Sequence, residues 1–288
     1  MHPDEPPPAP DFGAHALPPW ADAVRRSAAL VPRRWMVSLL RRLATLGRQD
    51  PFDVTVFATM HARLHLADNR SEKRAFAGPQ FWDRRERARL AAELAEVPDG
   101  PFHFVDAGAN VGLYSLALLA SARAEGVALR GLAIECDPTN IARLRFNLGA
   151  SGADEIAVVE YALAAEAGTL HLAPAVPGNR GEIRVAAEGV AVRARPLHDV
   201  VTEAGFPRID ALKIDIEGME QAVLAPFFDT APPALWPRLI VVETGRGEGA
   251  EILALLETHG YVLEARPGIN SIFSLPQRAM AEQPDGEA

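Results

Sequence analysis

A chain of 288 residues, 48% apolar and 23% charged, is long enough to bury an α/β core without staples. Its one cysteine, Cys136, excludes an internal disulfide framework and a multi-cysteine zinc site. The net charge of −9 divides into −3 over residues 1–19, +6 over residues 20–48 and −12 over the rest; such an acidic body argues against broad binding to nucleic acid, whose affinity rests on neutralised phosphates.

Residues 1–19 hold seven prolines and read as a disordered tail. They lack the basic start and apolar core of a signal peptide, and no apolar run approaches the ~18 residues of a bilayer span. The expectation is a soluble, cytoplasmic protein. Residues 20–100 read as an extension of helices and strands, residues 101–276 as the main domain, and residues 277–288 as a frayed polar tail. Within the extension, Trp35, Met36, Leu39, Leu40, Leu43 and Leu46 recur at helical spacing over residues 33–47, with Arg33, Arg34, Arg41 and Arg42 largely off that stripe. Two readings stay open. The leucines pack on the main domain and leave the arginines in water, or the helix meets a membrane surface or a partner.

Residues 52–66 alternate as a strand pair, and residues 83–96 form a charged helix. Strands then alternate with helices: a strand at 102–106, a helix at 111–122, a strand at 129–135, a helix at 138–148 and a strand at 156–160. A less regular insert follows, with short strands at 169–172 and 182–193. A helix at 197–204, a strand at 209–215, a helix at 219–227, a strand at 239–243 and a helix at 250–259 resume the pattern. Residues 261–264 and 271–275 close it as a pair. This alternation predicts a mostly parallel sheet with helices on both faces, and the closing pair predicts an antiparallel edge.

Ligands of such sheets sit beyond the carboxyl ends of the strands. The first of these strands runs into Val105-Asp106-Ala107-Gly108-Ala109-Asn110-Val111-Gly112. Gly108 and Gly112 let backbone approach a ligand, and Asn110 is placed to cap the next helix. The dinucleotide pattern G-x-G-x-x-G fails here, and so does the G-K-S/T of a phosphate loop. A nicotinamide oxidoreductase is thereby disfavoured. The second strand ends in Glu135-Cys136-Asp137-Pro138, where a carboxylate can accept hydrogen bonds from ribose hydroxyls and Pro138 opens a helix. Asp106 and Glu135 at adjacent strand ends suit an adenosine ligand that carries an ammonium and no phosphate, which describes S-adenosylmethionine. The same carboxylates would also serve as plain caps of an α/β sheet.

The third cluster is Ile209-Asp210-Ala211-Leu212-Lys213-Ile214-Asp215-Ile216-Glu217-Gly218-Met219-Glu220. Alternation puts Lys213 and Asp215 on one side, with Glu217 if the strand continues so far. Lys213 is one of only two lysines in an arginine-rich chain. Ionisable groups where a buried strand leaves its sheet are costly unless paired or exposed at a site, although helix capping plus a Lys–Asp pair is an alternative account.

Over residues 102–245 the chain resembles the FkbM family of S-adenosylmethionine-dependent methyltransferases. The resemblance rests on FVDAGANVGLYSLAL, AIECDPTNIARLRFNL, YALAAEAGTLHL, RPLHDVV, IDALKIDIEGMEQAVL and LIVVETG, of which K-I-D-x-E-G is the most specific. It implies a class I, Rossmann-like methyltransferase fold. It assigns Asp106, Gly108, Asn110, Gly112 and Glu135 to the cofactor, and Asp215, Glu217 and Gly218 to the place where the methyl group meets the acceptor; Asp137, Ala162, Asp215 and Gly218 are further candidates for contact with the cofactor. Ala164-Ala165 stand where the family has an acidic residue, and Leu197-His198-Asp199 where it favours Leu-Asp. Methyl transfer to an alcohol also requires a proton acceptor, for which the candidates are Asp215, Glu217 and His198, with Lys213 positioning a carboxylate or an acceptor oxygen. Asp215, Glu217 and Glu243 offer oxygen ligands for a divalent ion, but carboxylates flanking a strand end commonly serve without metal, so none is expected. The expected acceptor is an oxygen on a sugar, a glycan or a secondary metabolite. The rival expectation is a catalytically inactive binding module acting through its basic helix.

Overall fold

The computed structural model describes residues 10–31, 33–96, 100–176, 179–245 and 249–276. Of the tail expected at 1–19, residues 1–9 lie outside these residues, as does the whole of the tail expected at 277–288. Two helices, α1 (Pro19–Ser27) and α2 (Arg34–Ala44), precede a hairpin of β1 (Phe52–Val56) and β2 (Met60–Leu64). Helices α3 (Arg70–Ala77) and α4 (Arg84–Glu93) lead into β3 (Phe102–Ala107), α5 (Leu113–Glu125), β4 (Leu129–Glu135), α6 (Pro138–Ala150) and β5 (Ile156–Glu160). The insert comprises β6 (Ala162–Leu163), β7 (Gly168–Val176), β8 (Asn179–Ala186) and β9 (Val190–Arg195). The chain then runs through α7 (Leu197–Glu203), β10 (Ala211–Ile214), α8 (Glu220–Thr230), β11 (Leu239–Glu243), α9 (Gly249–Thr258), β12 (Val262–Ala265) and β13 (Asn270–Ser274).

Seven strands form one sheet in the order β12-β13-β11-β10-β3-β4-β5. The five from β11 to β5 are parallel, and β13 runs antiparallel to both β11 and β12, as the closing pair predicts. The inner parallel strands are buried on both faces because helices cover both, while the edge strand β5 is partly exposed. Phe102 and Phe104 of β3 pack with Leu116 and Leu119 of α5, while Val105 joins Leu212 and Ile214 of β10, Val200 of α7 and Phe227 of α8 on the opposite face. Burying one such ring contributes about 1.5–3 kcal/mol. Helix α6 starts where Asp137 Oδ1 accepts the Asn140 N–H at 2.8 Å, with Pro138 in the first turn, and α5 stops at Gly126, whose φ of 70° few other residues adopt. Strand order reverses between β3 and β10, which opens a crevice at their carboxyl ends.

Two expectations need correction. Residues 10–18 are not a free tail: Arg63 donates to the carbonyls of Pro10 and Asp11, Asp53 accepts the N–H groups of Gly13 and His15, and Phe12 stacks on His61 with ring centroids 4.5 Å apart. Proline composition conceals this, because the contacts come from β1, β2 and their polar side chains. The insert, read as two short strands, is a separate four-stranded sheet in the order β6-β9-β7-β8. The extension packs on the main sheet, since Phe52, Leu64 and Phe76 share a core with Phe102 and Phe104. No described helix is long and apolar enough to cross a membrane.

Candidate functional site

A cavity of 220 Å³ lies in the crevice. The turn after β3 contributes Gly108 and Asn110, the end of β4 contributes Glu135, and the loop after β10 contributes Asp215, Ile216 and Glu217. Ala162 and Leu163 of β6 and Leu170 and Leu172 of β7 form an apolar wall, and Asn69, Trp82 and Asp83 come from the extension.

The turn after β3 is built for close approach. Gly108 has φ 73°, and a Cβ there would stand 2.0 Å from the carbonyl oxygen of Asp215. Only glycine lets the mouths of β3 and β10 meet so closely. Asn110, at φ 51°, donates its N–H to Glu135 Oε2 at 2.7 Å, and its Oδ1 accepts from Asn69 Nδ2 at 2.9 Å. It therefore ties the extension to the turn and does not cap α5, whose N-cap is Gly112. Glu135 Oε1 accepts the N–H groups of Cys136 and Asp137 at 2.8 and 2.9 Å. Burial pushes the Glu135 carboxyl above its ordinary value, and the three N–H donors pull the other way. The result is a fixed carboxylate facing the cavity.

Lys213 joins the two sides of the crevice. It sits opposite Asp106 in the β10–β3 register, and its Nζ donates to the Gly108 carbonyl at 2.8 Å. That ammonium lies 3.8 Å from Asp106 Oδ1 and 3.8 Å from Asp215 Oδ2, and 5.3 Å from the centre of the Tyr114 ring. Burial alone would lower the Lys213 pKa, but Asp215, Asp106, Glu135 and Asp83 outweigh it and raise it, so the side chain is a cation. Asp106 is fully buried; its Oδ2 accepts from the Ser115 N–H and Oγ, at 3.1 and 2.7 Å. Burial raises its pKa against the pull of Lys213 and Ser115. Tyr114 donates to Asp83 Oδ2 at 3.0 Å and stays protonated, because burial and the nearby carboxylates raise its pKa well above the ordinary range.

The loop after β10 is held from below by Glu220, whose two oxygens accept the N–H groups of Ile216 and Gly218 at 2.8 and 3.0 Å. Glu217 and Gly218 have φ of 55° and 95°, the first of these uncommon for a residue with a side chain. Strand β10 ends at Ile214, so this turn, not strand alternation, brings Glu217 to the cavity.

Of the sequence-predicted residues, Gly108, Asn110, Glu135, Ala162, Lys213, Asp215 and Glu217 line the cavity together. Asp106, Gly112, Asp137, Gly218 and His198 do not. Asp106 lies beneath Lys213, and Asp137 is occupied as the α6 cap. Gly112 makes room for Leu144, whose Cδ1 would be 2.5 Å from a Cβ, and Gly218 shapes its turn. His198 is on α7, whose neighbouring Leu197 and Val200 pack on the sheet face opposite Lys213 and Asp106. Asn69, Trp82, Asp83 and Tyr114 also line the cavity and Glu220 supports its loop, although no motif in the sequence marks the first four. Glu220 alone had a local signal, a carboxylate just after a glycine turn at a helix start. Five carboxylates, those of Asp83, Glu135, Asp215, Glu217 and Glu243, line the cavity against three cations, Arg70 and Arg74 of α3 and Lys213, whose ammonium is turned to a carbonyl; the excess of negative charge suits a cationic ligand.

The profile of the Methyltransferase FkbM domain matches residues 106–263. The Methyltransferase sdnD of Sordaria araneosa is 32% identical over 205 residues, covering 59% of this chain and 76% of the relative. The 31-O-demethyl-FK506 methyltransferase FkbM of Streptomyces tacrolimicus is 42% identical over 73 residues, covering 24% of this chain and 26% of the relative. The crystal structure of a Methyltransferase FkbM from Methylobacillus flagellatus superposes with a TM-score of 0.41 at 18% identity, covering 62% of this chain and 45% of that one.

Proposed function

Because the chain belongs to the FkbM family of methyltransferases, we propose that it moves the methyl group of S-adenosylmethionine to a hydroxyl of a small acceptor, a sugar or a secondary metabolite. The observation that carries this reading is the fixed Glu135 carboxylate and the Asp215 carboxylate facing one cavity at the switch point of the sheet. Glu135 fits ribose hydroxyls. Gly108 brings backbone to the ligand without side-chain bulk, Asn110 holds its own side chain on Asn69, and Ala162, Leu163, Leu170 and Leu172 offer apolar surface to a base. One relative is named for an acceptor that lacks a methyl on oxygen, which supports the choice of oxygen.

S-adenosylmethionine supplies an activated methyl group on a sulfonium. The protein's part is to align the acceptor, exclude water and take a proton. Asp215 is the proposed acceptor of the hydroxyl proton: its side chain is 39% exposed and lines the cavity. Lys213, 3.8 Å away, fixes where that carboxylate stands, and Glu217 flanks it. His198 is not retained as a base, because it does not line the cavity.

The test is transfer of labelled methyl from S-adenosylmethionine to a panel of hydroxylated sugars and metabolites. With an acceptor in hand, Asp215→Asn should lower turnover by about 10²-fold or more with a smaller change in donor affinity. Wild-type turnover in Asp215→Asn would remove Asp215 as the base. Donor binding without transfer to any acceptor would favour an inactive binding module.

A further inference from the structure

Helices α1 and α2 pack as a pair, and their inner face is thin. Ala28 and Val37 are buried against Ala77, with Val31, Leu40 and Phe81 packed around them. The leucines that the sequence offers for packing mostly point away. Trp20, Leu30, Trp35, Leu39, Leu43 and Leu46 are 43–85% exposed, and among the described residues they make six of the nine exposed large apolar side chains. Trp35, Leu39 and Leu43 recur every fourth residue and so form one stripe along α2. Exposed Arg33, Arg42 and Arg48 accompany them.

We propose that this face is a docking surface for an anionic lipid bilayer, on which α2 lies in the plane of the interface. Three observations favour that occupant. The apolar stripe contains tryptophan and leucine beside arginine, the composition that seats a helix among headgroups. Exposed Arg33, Arg42 and Arg48 on this face are attracted to anionic lipid, whereas the −12 of the residues beyond 48 is repelled, so the field orients the molecule with this face down. A second copy is the poorer occupant, because a two-fold contact through the same face would bring arginines against arginines. Helix α3 packs on both α1 and α2 and also lines the cavity, so the docking surface and the cavity share a wall.

The experiment is co-sedimentation with vesicles of phosphatidylcholine alone and of phosphatidylcholine mixed with phosphatidylglycerol. The full chain should partition onto the anionic vesicles about tenfold or more in excess of the neutral ones, and added salt should weaken the binding. Leu39→Ser with Leu43→Ser, and separately Arg42→Glu with Arg48→Glu, should each reduce binding about tenfold or more. All four side chains are exposed, so thermal melting should stay at the wild-type value. Failure of the wild type to sediment with anionic vesicles overturns the proposal, as does wild-type sedimentation of both variants. A dimer in light scattering that the serine variant dissolves, with no vesicle binding, would assign the face to a second copy instead. Binding is read without any acceptor, so failure here leaves the methyltransferase reading standing.

Discussion

Lys213→Met is the substitution that most directly probes how the crevice is held. The side chain is 7% exposed and its ammonium has carboxylate oxygens at 3.8 Å on two sides. At an effective dielectric near 20, each pair amounts to about 4 kcal/mol of Coulomb energy before desolvation. Desolvation offsets most of that in the intact protein, so the measurable loss comes from leaving the buried Asp106 carboxylate unneutralised, about 3–5 kcal/mol. The charged hydrogen bond to the Gly108 carbonyl is lost with it, and the two losses overlap. Urea unfolding should show that decrease. Lys213→Met combined with Asp106→Asn should recover about 1 kcal/mol or more, because the second change removes the stranded charge. The pH dependence has a definite sign. Lys213 has a folded pKa raised above the ordinary 10.5, so its contribution is full below about pH 10.5 and is lost as pH rises through the folded value. The gap between wild type and Lys213→Met, as far as Lys213 sets it, should therefore hold steady from neutral pH to about 10 and close only beyond that. A single variant within about 1 kcal/mol of wild type would refute the claim that Lys213 neutralises the crevice.

Two further substitutions probe the frame. Gly108→Ala puts a Cβ 2.0 Å from the Asp215 carbonyl at a φ of 73°; the left-handed backbone alone costs about 1–2 kcal/mol, and spreading the two strand mouths should weaken donor binding about tenfold or more by calorimetry. Asp53→Asn breaks a buried pair with Arg63, whose Nε lies 2.7 Å from Oδ1, and should cost about 3–5 kcal/mol in chemical denaturation, with faster amide exchange at Gly13 and His15. Burial works to raise the Asp53 pKa, but the Arg63 and N–H partners leave it below the ordinary 3.8. Its contribution is therefore present above pH 3.8 and lost as pH falls through the folded value, so the variant should lose less stability in acid than the wild type.

The parallel sheet was legible because its inner strands are buried on both faces and its strands form short apolar runs between helices, so β4, β5 and β11 begin and end where periodicity puts them. The insert was not, because β6 has two residues and its pairing with β9 joins segments far apart in the chain. At the site, the positions of Glu135, Lys213 and Asp215 followed from strand ends. What stayed hidden was depth. Asp106 and Lys213 face each other across neighbouring strands, and no local pattern says that Ser115 and Lys213 consume the carboxylate that the family resemblance gives to the ligand. Asn69, Trp82 and Asp83 were equally hidden, since they reach the cavity only when the extension folds back on α5.

Whether the cavity beside Glu135 holds the methyl donor is open to one direct measurement. Calorimetric titration of the full chain with S-adenosylmethionine should give one site in the micromolar range, about −7 to −9 kcal/mol, and Glu135→Gln should weaken it by about 1–3 kcal/mol while the fold persists. Absence of binding heat from a folded wild type, or equal affinity in the two proteins, would contradict donor binding beside Glu135.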